Sequence, residues 1–271
     1  MTAEAPDFAA ITSRQQQTWA TGDFNRLAMA TMPVAEMLVE SADPSPGHRV
    51  LDIACGSGNN ALVAARRQCQ VTGIDFVPAL LEHARRRAQA DGVQAEFLEG
   101  DAQKLPFADH SFDVVLSTFG VMFAPNQEHA ASEIKRVTKP GGKVAVASWM
   151  PEGFGGDIFR TLSKYAPPPP GLKPGTRWGT ASGWHELFGP ALAVSSARVR
   201  TFRQYFRSVD AVMDIFLNFF GPAVRVMQNS DDKTKAAFTS DLRQFFASRN
   251  RAQDGALILD CDYFEVVSRK V

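Results

Sequence analysis

The residues of this chain best suited to chemistry are three carboxylates and a glycine turn. VLDIACGSGNN, residues 50–60, places Asp52 inside an apolar run and Gly56 and Gly58 just after it. Asp75 ends a second apolar run, VTGIDF, and Asp101 follows a third, within EGDAQ. A glycine turn between strand and helix lets the backbone approach a ligand closely. The helix that follows offers unpaired N–H groups. Carboxylates at neighbouring strand ends accept from hydroxyls or face a cation. This set suits the grip on a nucleotide-like cofactor.

Two cofactor classes use such a turn. A dinucleotide rests its pyrophosphate there, and Gly56, Gly58 and Ala61 read as GxGxxA, a permitted form of that fingerprint. S-adenosylmethionine rests its amino-acid part and ribose there. Asp52, four residues before Gly56, would repel a pyrophosphate and would suit an ammonium group. A simpler role, bonding to loop amides, is also open to it. Asp75 does not discriminate, because dinucleotide sites also want an acid about 20 residues past the loop.

The elements that must position these residues alternate along the first 150 positions. Strands are expected at 49–55, 70–76, 93–101, 111–120 and 143–149. Helices are expected at 60–68, 78–92 and 126–139, with Pro78 in a first turn, Gly92 at a stop and a PGG turn at 140–142. That alternation implies parallel strands with crossover helices in three layers, with ligands at the strands' carboxyl ends. Beyond 150, a helix over 154–166 runs into PPPPG at 167–171, a stiff extended loop. A strand within 193–206, helices at 208–220 and 231–250, and a strand over 256–271 predict a final hairpin of the same sheet, with a helical insert at 208–252. No linker splits the chain, so 1–271 reads as a single domain: a helical lid over 1–45, a cofactor-binding core over 46–150, and the remaining sheet and insert over 151–271.

Composition narrows the function. Lys plus Arg and Asp plus Glu are each 29, giving zero net charge, which disfavours nucleic acid and anionic membranes as partners. Cys55, Cys69 and Cys261 form no CxxC, and the five histidines form no HExxH; neither a disulfide framework nor a metal site is expected. The N-terminus lacks the pattern of a signal peptide, and no apolar run is long enough to span a membrane. A cytoplasmic protein is the expectation.

VLDIACGSGNN resembles motif I of the class I S-adenosylmethionine-dependent methyltransferases, with Asp52, Gly56 and Gly58 in place and Ala54 standing for the first glycine. VTGIDF, EGDAQKLPFADHSFDVV (99–115) and IKRVTKPGGKVAVASW (134–149) match further motifs in order. The resemblance covers roughly 15–150 and is nearest to the small-molecule enzymes related to ubiquinone and menaquinone biosynthesis. It implies a Rossmann-like sandwich with a seven-stranded, mostly parallel sheet whose last strand is antiparallel. It implies S-adenosyl-L-methionine as cofactor, with Asp75 on the ribose hydroxyls, Phe76 on the adenine, Asp101, Ala102 and Gln103 around the adenine edge, and Ser117 giving a carbonyl or hydroxyl. Trp19 would belong to an N-terminal lid over the cofactor, with Gly22 allowing a tight turn; it could equally pin that helix to the core.

Methyl transfer needs nucleophile, methyl carbon and sulfur in line, so alignment and exclusion of water supply most of the rate. A base is required only where the acceptor must lose a proton. Phe119, Met122 and Phe123 would form an apolar wall, or simply core. Phe216 and Phe220, with Phe219, Phe245 and Phe246, would roof an acceptor pocket or pack as core. His129 and His185 are weak candidates for a base. The wall character suggests a fairly apolar acceptor (aromatic, polyketide, quinone or lipid-like) methylated at oxygen or carbon. A nucleotide-dependent oxidoreductase and a cofactor-binding protein without transfer remain as alternatives, and a homodimer stays open.

Overall fold

The computed structural model describes residues 6–271; residues 1–5, where the expected lid begins, lie outside the described residues. The N-terminal region is helical: α1 (Phe8–Thr21), α2 (Asn25–Ala28) and α3 (Met32–Ala42). The alternating core follows as β1 (Arg49–Ile53), α4 (Asn59–Arg66), β2 (Gln70–Asp75), α5 (Pro78–Asp91), β3 (Glu96–Glu99), β4 (Phe112–Thr118), α6 (Gln127–Val137) and β5 (Thr138–Trp149). Then come α7 (Gly153–Ser163), α8 (Ala181–Phe188) and β6 (Leu192–Phe206). The insert α9 (Val209–Phe219), α10 (Gly221–Asn229) and α11 (Asp232–Ala247) leads into β7 (Leu257–Lys270).

The sheet runs β3-β2-β1-β4-β5-β7-β6. β1 to β5 are parallel, β7 is antiparallel to both of its neighbours, and β6 therefore points with the first five. This is the expected Rossmann-like sandwich with an antiparallel last strand. Alternation along β1 sends Val50 to one face and Leu51 and Ile53 to the other, all fully buried. The first face packs Leu38 of α3, Leu62 of α4 and Leu81 of α5; the second packs Ile134 of α6 and Leu187 of α8. Strand order reverses between β1 and β4, which opens a crevice at their carboxyl ends.

Local chemistry sets the boundaries. Pro78 starts α5, and Gly92 stops it at φ +66°. Asn126 caps α6 by accepting from the His129 amide at 3.0 Å, and Ser208 and Asp231 cap α9 and α11 in the same way. One expectation is corrected here. PGG at 140–142 does not break the chain before β5; the strand already begins at Thr138. Pairing with β4 shifts register between Phe112 and Val114, and Gly141 takes φ +74°, so the glycines form an irregularity inside a continuous strand.

Candidate functional site

The loop after β1 is built for close approach. Ala54, Gly56 and Gly58 all take positive φ, +51°, +53° and +84°. A Cβ added at Gly56 would meet no protein atom within 4 Å, because it would project into the crevice. A Cβ at Gly58 would instead press on Ala84 and Phe97 at 3.1 Å. Gly58 thus serves the turn and the packing of α4, and it does not line the crevice. From behind, Arg87 of α5 donates to the Ser57 carbonyl at 2.6 Å and to the Asn59 side chain at 2.8 Å, which fixes the loop.

The carboxylates converge on this loop. Asp75 accepts from the Gly56 and Val77 amides at 2.8 and 2.9 Å. Asp52 accepts from the Asn60 amide group at 2.9 Å and from the Ala61 N–H at 3.1 Å, so the loop-bonding role is real. It does not exhaust Asp52, which also lines the crevice. Burial pushes the Asp52 carboxyl up to about 7, and the nearby Asp75 charge adds to that; the bonds from Asn60 and Ala61 act the other way. Burial likewise raises Asp75 to about 6, against its backbone hydrogen bonds. A cation delivered beside Asp52 would restore its charge. Asp101 is held by the Gln103 amide, whose Nε2 also donates to Thr12 of α1 at 3.0 Å.

A single cavity runs from these acids to the far edge of the sheet and contains ≈ 1590 Å³ of atom-free space, its open mouth included. It gathers Trp19, Asp52, Ala54, Gly56, Asp75, Phe76, Asp101, Ala102, Gln103, Phe119, Phe123, Phe216 and Phe220. Trp19 packs as the pinning role expects and also faces the cavity. It lines the cavity, and its ring lies 5.1 Å from that of Phe123 and 5.8 Å from that of Phe220, which ties α1 to the insert. Phe119 takes φ +56° and stacks on Trp149, rings 3.9 Å apart and 5° from parallel.

Several expected residues stand elsewhere. Ser117 is buried beneath the floor, donating to the Ile53 carbonyl and accepting from the Val121 amide. Met122 packs into the opposite core, while Val121 and Phe123 beside it face the cavity. Phe245 and Phe246 are core. His129 and His185 are both exposed, outside the cavity lining, so neither is placed to act as a base there. Conversely, the sequence reading passed over Asn60, Trp149, Phe154, Phe159, Gln204 and Phe206, which all line the cavity, as does Thr118 at the end of β4. Thr118 donates to Asn60, which donates to Asp52, joining the β4 and β1 ends in one hydrogen-bonded chain.

Residues 51–146 match the family described as "Methyltransferase domain". A demethylmenaquinone methyltransferase of Thermus thermophilus is 41% identical over 116 residues, 41% of this chain and 53% of that protein. An uncharacterized protein of Mycobacterium tuberculosis is 35% identical over 96% of this chain and 95% of its own length. The chain belongs to the class I S-adenosylmethionine-dependent methyltransferases. Among solved structures, geranyl diphosphate methyltransferase in complex with SAM superposes with a TM-score of 0.55, 16% identity, and coverage of 89% of this chain and 85% of that one. The [4+2]-cyclase SpnF gives 0.57, 21%, 88% and 80%. These two likenesses speak to fold alone.

The methyltransferase's own residues fit its cofactor. The open space at Gly56 leaves room for a ligand against the backbone. Asp75 retains lone pairs for a diol beyond its two backbone bonds. Asp52 would face an ammonium, and Phe76 with Leu80 would offer an apolar surface for a base; all three line the cavity.

Proposed function

We propose that this methyltransferase transfers the methyl group to the oxygen or carbon of a small, fairly apolar acceptor, and that it does so without a general base of its own. One observation carries this reading: carboxylates and an open glycine turn at one end of a cavity whose other end is aromatic and lacks a base. The described lining residues include no His, Lys or Tyr. The Cys55 thiol is pushed well up by burial, with the Asp52 and Asp75 charges adding to the shift, so it is no ready nucleophile or base.

S-adenosylmethionine supplies an electrophilic methyl on a sulfonium. The chain supplies the rest. Asp75 orients the ribose, Asp52 holds the ammonium, and the Gly56 backbone fixes the amino-acid end. Trp149, Phe119, Phe123, Phe216 and Phe220 exclude water around the reacting atoms. A charge neutralised during transfer is favoured by that dry wall, and alignment contributes most of the remainder. Such a site suits acceptors that are nucleophilic as they arrive: an acidic phenol, an enol or an electron-rich ring carbon.

Thermal unfolding in the presence of S-adenosylhomocysteine, NAD or NADP tests the cofactor end. At a hundredfold excess over its dissociation constant a ligand adds about 2.7 kcal/mol, which for a chain of this size is on the order of 5–10 °C. The expected result is a shift with S-adenosylhomocysteine only, followed by release of that product when S-adenosylmethionine and acidic phenols are supplied together. A shift with NAD or NADP alone would overturn the reading.

A further inference from the structure

The acceptor end of the cavity contains one buried polar side chain that the fold does not use. Gln204 lies on the inward face of β6, between Phe202 and Phe206, while Arg203 and Tyr205 point outward. It is 8% exposed and lines the cavity. Its amide makes no hydrogen bond to any described residue. The other buried polar groups of the lining are engaged: Asn60 with Asp52 and Thr118, Asn59 with Ala28 and Arg87, Gln103 with Asp101 and Thr12. Leu or Phe at 204 would continue the apolar register set by Phe202 and Phe206. The amide opens onto the cavity, so what it pairs with must come from the cavity rather than from the fold.

Resting on the methyl-transfer reading above, we propose that Gln204 is the polar anchor of the acceptor: it hydrogen-bonds an uncharged oxygen function, carbonyl or hydroxyl, on a planar, otherwise apolar ring. Three observations fix that class. A carboxamide offers one acceptor oxygen and two N–H donors, so it pairs with either function and carries no charge. The only basic residue of the described lining is Arg26, exposed and held over the Phe219 ring and near Asp23. A carboxylate or phosphate buried beside Gln204 would therefore lose its water without gaining a counter-ion. The stacked Phe119–Trp149 pair, 5° from parallel, lines the same cavity as Gln204 and adds an aromatic wall against which a planar ring packs well.

The test is calorimetric titration of 1-naphthol, naphthalene and 1-naphthoate into the wild-type chain and Gln204→Leu, with and without saturating S-adenosylhomocysteine. The expected order for the wild type is 1-naphthol tightest and 1-naphthoate weakest. Gln204→Leu is expected to weaken 1-naphthol about tenfold, the scale of one neutral hydrogen bond, and to leave naphthalene within about twofold. Its melting temperature is expected to hold within about 2 °C, because no hydrogen bond within the protein is lost. Equal losses for 1-naphthol and naphthalene, no loss, no wild-type binding of 1-naphthol, or 1-naphthoate as the tightest ligand would each overturn the proposal. So would a melting temperature several degrees lower, which would mark a structural amide. Failure of S-adenosylhomocysteine to bind would instead sink the methyl-transfer reading, and the naphthol comparison made without it would still decide the role of Gln204.

Discussion

At the scale of single residues, Asp52 answers to two demands. It braces the loop through Asn60 and Ala61, and it sits in the crevice with its carboxyl pushed up to about 7 by burial. That lies well above the ordinary range of an aspartate carboxyl, so the folded chain holds the proton more tightly than the unfolded chain does. The contribution of Asp52 to stability therefore falls as pH rises from about 4 through about 7. A ligand ammonium beside it reverses the preference: binding the cation expels the proton. S-adenosylhomocysteine affinity should accordingly rise about tenfold between pH 6 and pH 8 and then level off, by proton linkage at a single site. In Asp52→Asn the rise should vanish. Titration calorimetry in buffers of different ionisation heat measures both affinity and proton release. A flat wild-type profile would mean that the ammonium lies elsewhere. This double duty explains why the sequence left Asp52 open: apolar context announces a buried acid, but the pattern cannot tell a brace from a ligand. Ser117 shows the opposite limit, a strand-end hydroxyl whose partners, Ile53 and Val121, come from a neighbouring strand and the next turn.

At the scale of elements, α1 is fastened at three points beside the end of the cavity that contains Asp75 and Asp101. Gln16 donates to the Phe76 carbonyl at 2.5 Å, Thr12 accepts from Gln103, and the α1–α10 crossing is closed by two glycines. A Cβ at Gly221 would lie 2.1 Å from the Thr18 carbonyl oxygen, and one at Gly22 equally close to that of Phe219. Backbone cannot yield at that distance, so Gly221→Ala must push α1 off α10. The expected outcome is S-adenosylhomocysteine dissociation at least about tenfold faster, because each fastening holds α1 closed, together with faster amide exchange across Phe8–Thr21. Stopped-flow release and exchange mass spectrometry read the two. If only the melting temperature fell, α1 would be plain scaffold. The sequence reading anticipated a helical lid with Gly22 in it but not Gly221, because a glycine that permits helix crossing has no local signature. The strands and most helices were legible because their periods are local. The irregular start of β5 was not, because continuity through PGG depends on pairing with β4.

At the scale of the whole molecule, the cavity has two halves with different ancestry in the sequence. The half proposed for the cofactor draws mainly on 52–103, one contiguous stretch where spacing alone brings Asp52, Gly56, Asp75 and Asp101 together. The half proposed for the acceptor is assembled from α2, the turn after β4, Trp149, α7, β6 and α9, which meet only because β6 lies at the far edge of the sheet and the insert folds back over it. That is why the first half was readable and Gln204 and Phe206 were not, although a polar residue in an aromatic i, i+2 register, TFRQYF, is a signal that could have been used. The division also predicts separable behaviour. Phe206 is half-buried and lines the acceptor half from β6, so Phe206→Ala should leave the core intact and S-adenosylhomocysteine affinity within about threefold, as for independent sites. Binding of 1-naphthol should weaken by about tenfold or more, since much of an aromatic contact surface is lost. The two titrations on one variant decide it. A parallel loss of both ligands would mean that β6 shapes the cofactor end as well, and the cavity would then have to be treated as one coupled site.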